Sequence, residues 1–209
     1  MSNSLTALTF VLGSYLVGSV PFGKIVGNIY GVDIQQHGSG NIGFANVRRV
    51  LGWPPAVVVL AGDVSKGFVP AFAARAYGLS VHELMAVSTA AMAGSVFSVW
   101  LRFKGGKGIG AGLGITLAAS LSLGGLAAAI YLLSVVVLRR SGRASLVSAW
   151  AVPLLAVALA PDYALFFAVL AALATWTHRD KLSLSRNRTS RGSARPTGAR
   201  VTPPVARRR

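Results

Sequence analysis

What most constrains this chain is a series of apolar segments, each near the length a helix needs to cross a lipid bilayer. They run from about Leu5 to Tyr30, Pro54 to Tyr77, Leu84 to Leu101, Ile109 to Leu138, Leu146 to Ala160 and Tyr163 to Trp176. A crossing takes about 20 residues, because a helix rises about 1.5 Å per residue and the hydrocarbon core is about 30 Å thick. In lipid, backbone polar groups must be satisfied internally, and runs of this length do so as helices. The chain is 53% hydrophobic and only 12% charged over 209 residues, which excludes a soluble domain. The expected fold class is therefore an all-α integral membrane protein.

The fourth segment is too long for one ordinary crossing and is interrupted by "SLSLGG" at Ser120 to Gly125. It reads as one long tilted helix or as two short ones, and charge placement votes for two. With seven transmembrane helices and the N-terminus outside, the cytoplasmic side collects Arg48 and Arg49, then Arg102, Lys104 and Lys107, then Arg139, Arg140 and Arg143, and finally the C-terminus. The opposite side keeps Arg75 beside His82, Glu83 and Asp162. A six-span arrangement would strand the 139–143 cluster on the wrong side. The first apolar run lacks the positive start of a secretory signal, so it is expected to be an uncleaved span.

Residues 179–209 carry ten Lys/Arg against one Asp and no aromatic residue. The expected domain division is thus a membrane domain over 1–178 and a basic, disordered cytoplasmic tail over 179–209, lying near anionic membrane lipids. No nucleic-acid partner is expected. The absence of cysteine removes disulfides, thiolate metal sites and a thiol nucleophile.

Three polar stretches fall on the cytoplasmic side of the seven-helix arrangement. "HGSGNIGFANVRR", His37 to Arg49, supplies glycines, a serine, two asparagines and two arginines, a set of N–H and cationic donors suited to an anion. "FKGGKG", Phe103 to Gly108, reads equally as a positive membrane anchor or as a glycine-rich turn before a helix N-terminus, where free N–H groups and Lys104 and Lys107 would hold an anion. The third pairs "RASLVS", Arg143 to Ser148, with "THRD", Thr177 to Asp180. A serine at such a helix start is most often an N-cap, and a histidine at a helix end most often a cap. Gly23 and Gly27, then Gly106, Gly110 and Gly114 at four-residue spacing, read as close helix packing, and Asp63 with Lys66, three apart, reads first as an ion pair and second as a base near a cationic site.

Several chemistries are absent. Lys107 is followed by Gly108 rather than a hydroxyl residue, so "FKGGKG" is no Walker A loop, and no G-x-S-x-G elbow occurs. The three histidines are scattered, so no metal cluster is expected and no cofactor is required. A cationic, donor-rich site poor in strong bases suits substrates that bring phosphate and a good leaving group. The residues alone therefore point to a membrane enzyme or carrier for phosphorylated small molecules.

"GSGNIGFANVRRVLG", "DVSKG", "GSVFSVWLRFKGGKGIG", "RASLVS" and "HRD" resemble, in order and spacing, the bacterial acyl-phosphate-dependent glycerol-3-phosphate acyltransferases, the PlsY family. The resemblance covers roughly residues 10 to 181. It implies seven spans in the bacterial cytoplasmic membrane, an active site at the cytoplasmic face, and transfer of a fatty acyl group from acyl phosphate to the 1-hydroxyl of glycerol 3-phosphate, giving lysophosphatidic acid for phospholipid biosynthesis. It also implies an upstream acyl-phosphate-forming enzyme as partner. By position it assigns Ser39, Arg49, Lys104, Ser145 and His178 to catalysis, and Gly38, Gly40, Asn41, Asn46, Gly105, Gly106, Lys107 and Gly108 to substrate binding. The family needs no dedicated protein base, because the substrate's own phosphate is thought to take the hydroxyl proton. Departures from the family pattern are Ser95 and Ser98 for its usual histidine and proline, Ile42, Phe44 and Ala45 in the first motif, and Lys181 for asparagine. They motivate a second expectation, a non-catalytic relative or carrier that binds phosphorylated molecules.

Overall fold

The computed structural model describes residues 4–179; the readings of the basic tail and of Lys181 lie outside them. The described residues form α1 (Ser4–Ser19), α2 (Phe22–Ile29), α3 (Phe44–Leu51), α4 (Trp53–Ala76), α5 (Val81–Val96), α6 (Ile109–Ala119), α7 (Leu121–Leu138), α8 (Ser141–Leu159) and α9 (Ala164–Thr177), with short 3-10 turns at Val99–Leu101 and Pro161–Tyr163. Five stretches are long and apolar enough to cross a membrane: Ser4–Ile29, Trp53–Ala76, Val81–Leu101, Leu121–Leu138 and Ser141–Leu159. The molecule is a multi-pass helical membrane protein. Ile109–Ala119 and Pro161–Thr177 are apolar but shorter.

Breaks follow local chemistry. The first apolar segment divides at Pro21, which has no N–H to continue α1. The fourth divides at Ser120, whose extended backbone ends α6 and whose side chain accepts the N–H of Leu123 to start α7. Two helices, not one long one, therefore occupy the stretch from Ile109 to Leu138. Ser80 and Glu83 form a reciprocal capping box that opens α5.

Lipid offers no hydrophobic drive for helices to associate, so close approach through small residues does that work. A Cβ on Gly18 would stand 2.1 Å from the carbonyl oxygen of Ala91, and one on Gly94 2.2 Å from that of Tyr15, so α1 and α5 touch backbone to backbone. Ser14 Oγ adds a buried hydrogen bond to Val87 O at 2.9 Å. In the same way Gly67 meets Ala111, and Gly114 meets Val64 and Phe68, clamping α4 to α6. Gly23, Gly27, Gly110 and Gly114 all serve as packing contacts. These registers make α1 and α5 run one way. The pair α4 and α6 shares a common direction, since Arg75 near the end of α4 donates to the carbonyls of Ala118 and Ala119 at the end of α6. Ser148 Oγ bonds Ala127 O across α7 and α8, and Trp150 Nε1 bonds Thr175 Oγ1 across α8 and α9.

One consequence could not be expected from segment lengths. With 11 residues α6 is about 16 Å long, roughly half a bilayer core. Its first turn packs Gly110 against Asp63, which lies about ten residues, or about 15 Å, along α4. The glycine-rich stretch before α6 thus reaches well along the bundle before that helix begins.

Candidate active site

The first polar stretch is half loop, half helix: α3 begins at Phe44 after Gly43, so Asn46, Arg48 and Arg49 sit on a helix rather than a loop. Asn46 is 1% exposed and is the clasp of the loop. Its Oδ1 accepts the N–H of Ser39 at 2.7 Å and faces Arg49 Nη1 at 3.4 Å, while its Nδ2 donates to Ile34 O and His37 O. Gly38 packs so tightly on Asn46 that a Cβ would come within 2.4 Å of Oδ1. Ser39 and Arg49 are both exposed, Gly40 and Asn41 half-buried. Asn46 therefore holds Ser39 in place and has its hydrogen-bonding capacity engaged by protein, which sets it apart from its neighbours as a ligand contact.

The second stretch folds back over the end of α5. Gly105 N–H donates to Val96 O and Gly106 N–H to Ser95 O. Arg102 and Phe103 both take the left-handed conformation, φ 51° and 62°, which costs non-glycine residues about 1 kcal/mol or more each. The turn ends at Gly108, φ 73°, which starts α6 with no side-chain cap, so the first N–H groups of that helix are presented at the turn itself. Lys104 is exposed and Lys107 half-buried.

The two stretches meet. A Cβ on Gly106 would lie 3.5 Å from Ile42 Cγ1 and 3.9 Å from Asn41 Oδ1. Ile42, which stands where proline is usual, is a core residue packed with Val26, Ile34, Val47, Ala56 and Val59. The third stretch joins from the other side: Thr177 Oγ1 lies 3.3 Å from Lys107 O, and His178 Cδ2 lies 3.8 Å from the position of a Cβ on Gly142. His178 is 4% exposed, with Nδ1 2.8 Å from Ala174 O at the end of α9. Ser145 is not the expected N-cap. It lies one turn inside α8, 7% exposed, its Oγ donating to Ser141 O at 2.9 Å. Thr177 is not among the residues expected at the site, and Asp63 is expected there only under the second reading of its pair with Lys66. Thr177 adjoins the assigned histidine; for Asp63 the signal was a carboxylate inside an apolar run.

Asp63 and Lys66 form the expected ion pair at 2.8 Å. Lys24 pairs with Asp33 at 2.5 Å, bridging α2 to the following loop. No cluster of three or more metal-ligating residues occurs among the described residues. The depression lined by Arg75, Ser88, Ala118 and Tyr163 lies at the opposite end of α4 and α6 from the glycine turns.

Fold and site together define a polytopic helical membrane protein in which three polar segments converge on a cationic, donor-rich turn. A family model described as glycerol-3-phosphate acyltransferase matches residues 8–187. The chain is 40% identical over 198 residues to the glycerol-3-phosphate acyltransferase of Thermus thermophilus, covering 93% of this chain and 97% of that one. It is 39% identical over 186 residues to that of Geotalea daltonii, covering 87% and 95%. Among solved structures it is similar to PlsY (YgiH), an integral membrane glycerol 3-phosphate acyltransferase, in its glycerol 3-phosphate form, with a TM-score of 0.81 and 32% identity over 89% of this chain and 94% of that one. The lysophosphatidic acid form of the same protein gives a TM-score of 0.80. The chain belongs to the glycerol-3-phosphate acyltransferase family and is a membrane acyltransferase.

Proposed function

We propose that the protein transfers a fatty acyl group from acyl phosphate to the 1-hydroxyl of glycerol 3-phosphate. The hydroxyl oxygen forms an ester bond to the acyl carbon, the mixed-anhydride C–O bond breaks, inorganic phosphate leaves, and the hydroxyl proton passes to phosphate. The observation that carries this reading is the convergence of three separate segments on one turn: Asn41 and Ile42 against Gly106, and Thr177 against Lys107 O. Lys104, Lys107 and the uncapped first N–H groups of α6 receive the phosphate of the acceptor. Ser39 and Arg49, held by Asn46, bind the acyl donor's phosphate and the developing oxyanion. Ser145 and His178 close the far side. Neutralising charge is the main catalytic task, which agrees with a site that has few strong bases.

The same proposal places the chain in the bacterial cytoplasmic membrane with seven crossings, the N-terminus outside and the site facing the cytoplasm, fed by an enzyme that makes acyl phosphate. Supporting this, α1 and α5 run one way, α4 and α6 share a direction, and Arg48, Arg49, Arg102, Lys104, Lys107, Arg139, Arg140 and Arg143 lie in or beside the segments at the helix ends near the site. The membrane domain would end at His178. The test is lysophosphatidic acid formation by purified protein given acyl phosphate and glycerol 3-phosphate, with Arg49→Ala as control. Product from the wild type and its loss in the variant is expected; silence in both would overturn the reading.

A further inference from the structure

Asp63 and Lys66 have no part in the reaction as proposed, yet both are held inside an apolar helix, their side chains 16% and 4% exposed. Hydrophobic side chains of similar volume often stabilise such a position as well or better, so the pair's presence asks for another reason. Lys66 is engaged on two sides: its Nζ lies 2.8 Å from Asp63 Oδ1 and donates to Val20 O at 3.3 Å, next to the break at Pro21. Asp63 is engaged on one side only. Its Oδ2 accepts no hydrogen bond from the described residues, and no fully buried side-chain oxygen among them lacks a partner, so Oδ2 opens on space. That space belongs to the site. Oδ2 lies 4.0 Å from the position of a Cβ on Gly43, where Asn41 Nδ2 also approaches, and Asp63 Cβ packs on Gly110 at the start of α6.

We propose that Asp63 Oδ2 accepts a hydrogen bond from the 2-hydroxyl of glycerol 3-phosphate and so sets which end of the acceptor meets the acyl donor. This rests on the proposed function. The acceptor has one anionic end and one hydroxyl end. A carboxylate repels the first and accepts from the second, while the cationic turns do the reverse, so the two together fix the polarity of binding. The reacting 1-hydroxyl must stay open to the acyl donor. A single inward oxygen on α4 therefore takes the neighbouring hydroxyl. Lys66, by holding Oδ1, fixes the rotation that presents Oδ2.

The test compares kcat/KM for glycerol 3-phosphate and for 3-hydroxypropyl phosphate, which lacks the 2-hydroxyl, in wild type, Asp63→Asn and the double variant Asp63→Asn/Lys66→Met. The wild type should prefer glycerol 3-phosphate by about tenfold to a hundredfold, the value of one hydrogen bond to a charged acceptor. In Asp63→Asn the preference should collapse toward parity, through loss on glycerol 3-phosphate alone. A purely structural pair would instead lower both acceptors equally and keep the ratio. The double variant leaves neither charge unpaired, so it carries the test if the single variant does not fold, and its preference should stay collapsed. Equal use of the two acceptors by the wild type, or a retained preference in either variant, overturns the proposal. A wild type that forms no lysophosphatidic acid at all instead overturns the proposed function, a result read without any variant.

Discussion

Asn46 Oδ1 accepts the backbone N–H of Ser39 at 2.7 Å, and the same amide donates to Ile34 O and His37 O, so one side chain ties the first turn of α3 to the loop before it. Replacing it with alanine would leave Ile34 O and the Ser39 N–H unpaired, while His37 O keeps only the N–H of Gly40. Each unsatisfied buried group costs about 1–3 kcal/mol.

Asn46→Ala should therefore lower both melting temperature and kcat/KM, the latter by about tenfold or more as Ser39 loses its fixed position. Asn46→Asp keeps the acceptor for Ser39 and strengthens attraction to Arg49, but loses both donors. It should fall between wild type and alanine in activity. Thermal unfolding in detergent alongside kinetics checks both; a fully active Asn46→Ala would show that the clasp is dispensable.

The glycine-rich turn makes a sharper contrast. A Cβ on Gly105 would sit 2.5 Å from Ser95 O and 2.7 Å from Val96 O, the second of which accepts the Gly105 N–H. Backbone cannot move aside there without opening the turn. Gly112, one turn into α6, has nothing within 4 Å. Gly105→Ala is expected to abolish most acyl transfer, a loss of about a hundredfold or more, while Gly112→Ala leaves activity within about twofold of wild type. Equal activities for the two variants would count against the turn as the phosphate cradle.

Much of this was readable from residue type and spacing. Apolar run lengths and the serine–glycine break at Ser120 gave the helices, because in lipid the backbone has few alternatives to a helix. The glycines at four-residue intervals gave the helix contacts, and Asp63 with Lys66 gave an ion pair. What escaped was direction and depth. Nothing in the sequence turns Asn46 inward rather than toward a ligand, or ties Ser145 Oγ to Ser141 O, because both depend on where a neighbouring carbonyl falls. Nor does an apolar run from Ile109 reveal that α6 starts beside Asp63, since that register is set by Gly67, Gly110 and Gly114 meeting the other helix.

Asp33 gives a pH dependence. The hydrogen bond from Lys24 holds its carboxyl below the usual value of 3.8, helped by the N–H of Gln35 and by the charges of Lys24 and His37. A carboxylate lowered in the folded state contributes stability above its ordinary value, and that contribution disappears as pH falls through the lower folded value. Asp33→Asn should thus melt below wild type at pH 7, with the gap closing as pH drops below about 3.8. Melting curves between pH 7 and pH 3 measure it; a gap that stays constant or widens toward acid would contradict the assignment.

Ser98 stands where the family pattern usually has proline, and its geometry explains how the two can alternate. Its φ of −62° is the value proline imposes, and its Oγ donates to Ser19 O at 2.6 Å, pinning the turn after α5 to the end of α1. Serine holds the turn by a buried hydrogen bond; proline would hold it by restricting the unfolded chain. Ser98→Ala loses the first device and gains nothing, so it should cost about 1–2 kcal/mol. Ser98→Pro loses the hydrogen bond but regains about 0.4–1 kcal/mol from the unfolded state. The expected order of melting temperature is therefore wild type, then Ser98→Pro, then Ser98→Ala, with acyl-transfer activity following the same order. If Ser98→Pro were the least stable of the three, the backbone of this turn would have to differ from the one that proline accepts.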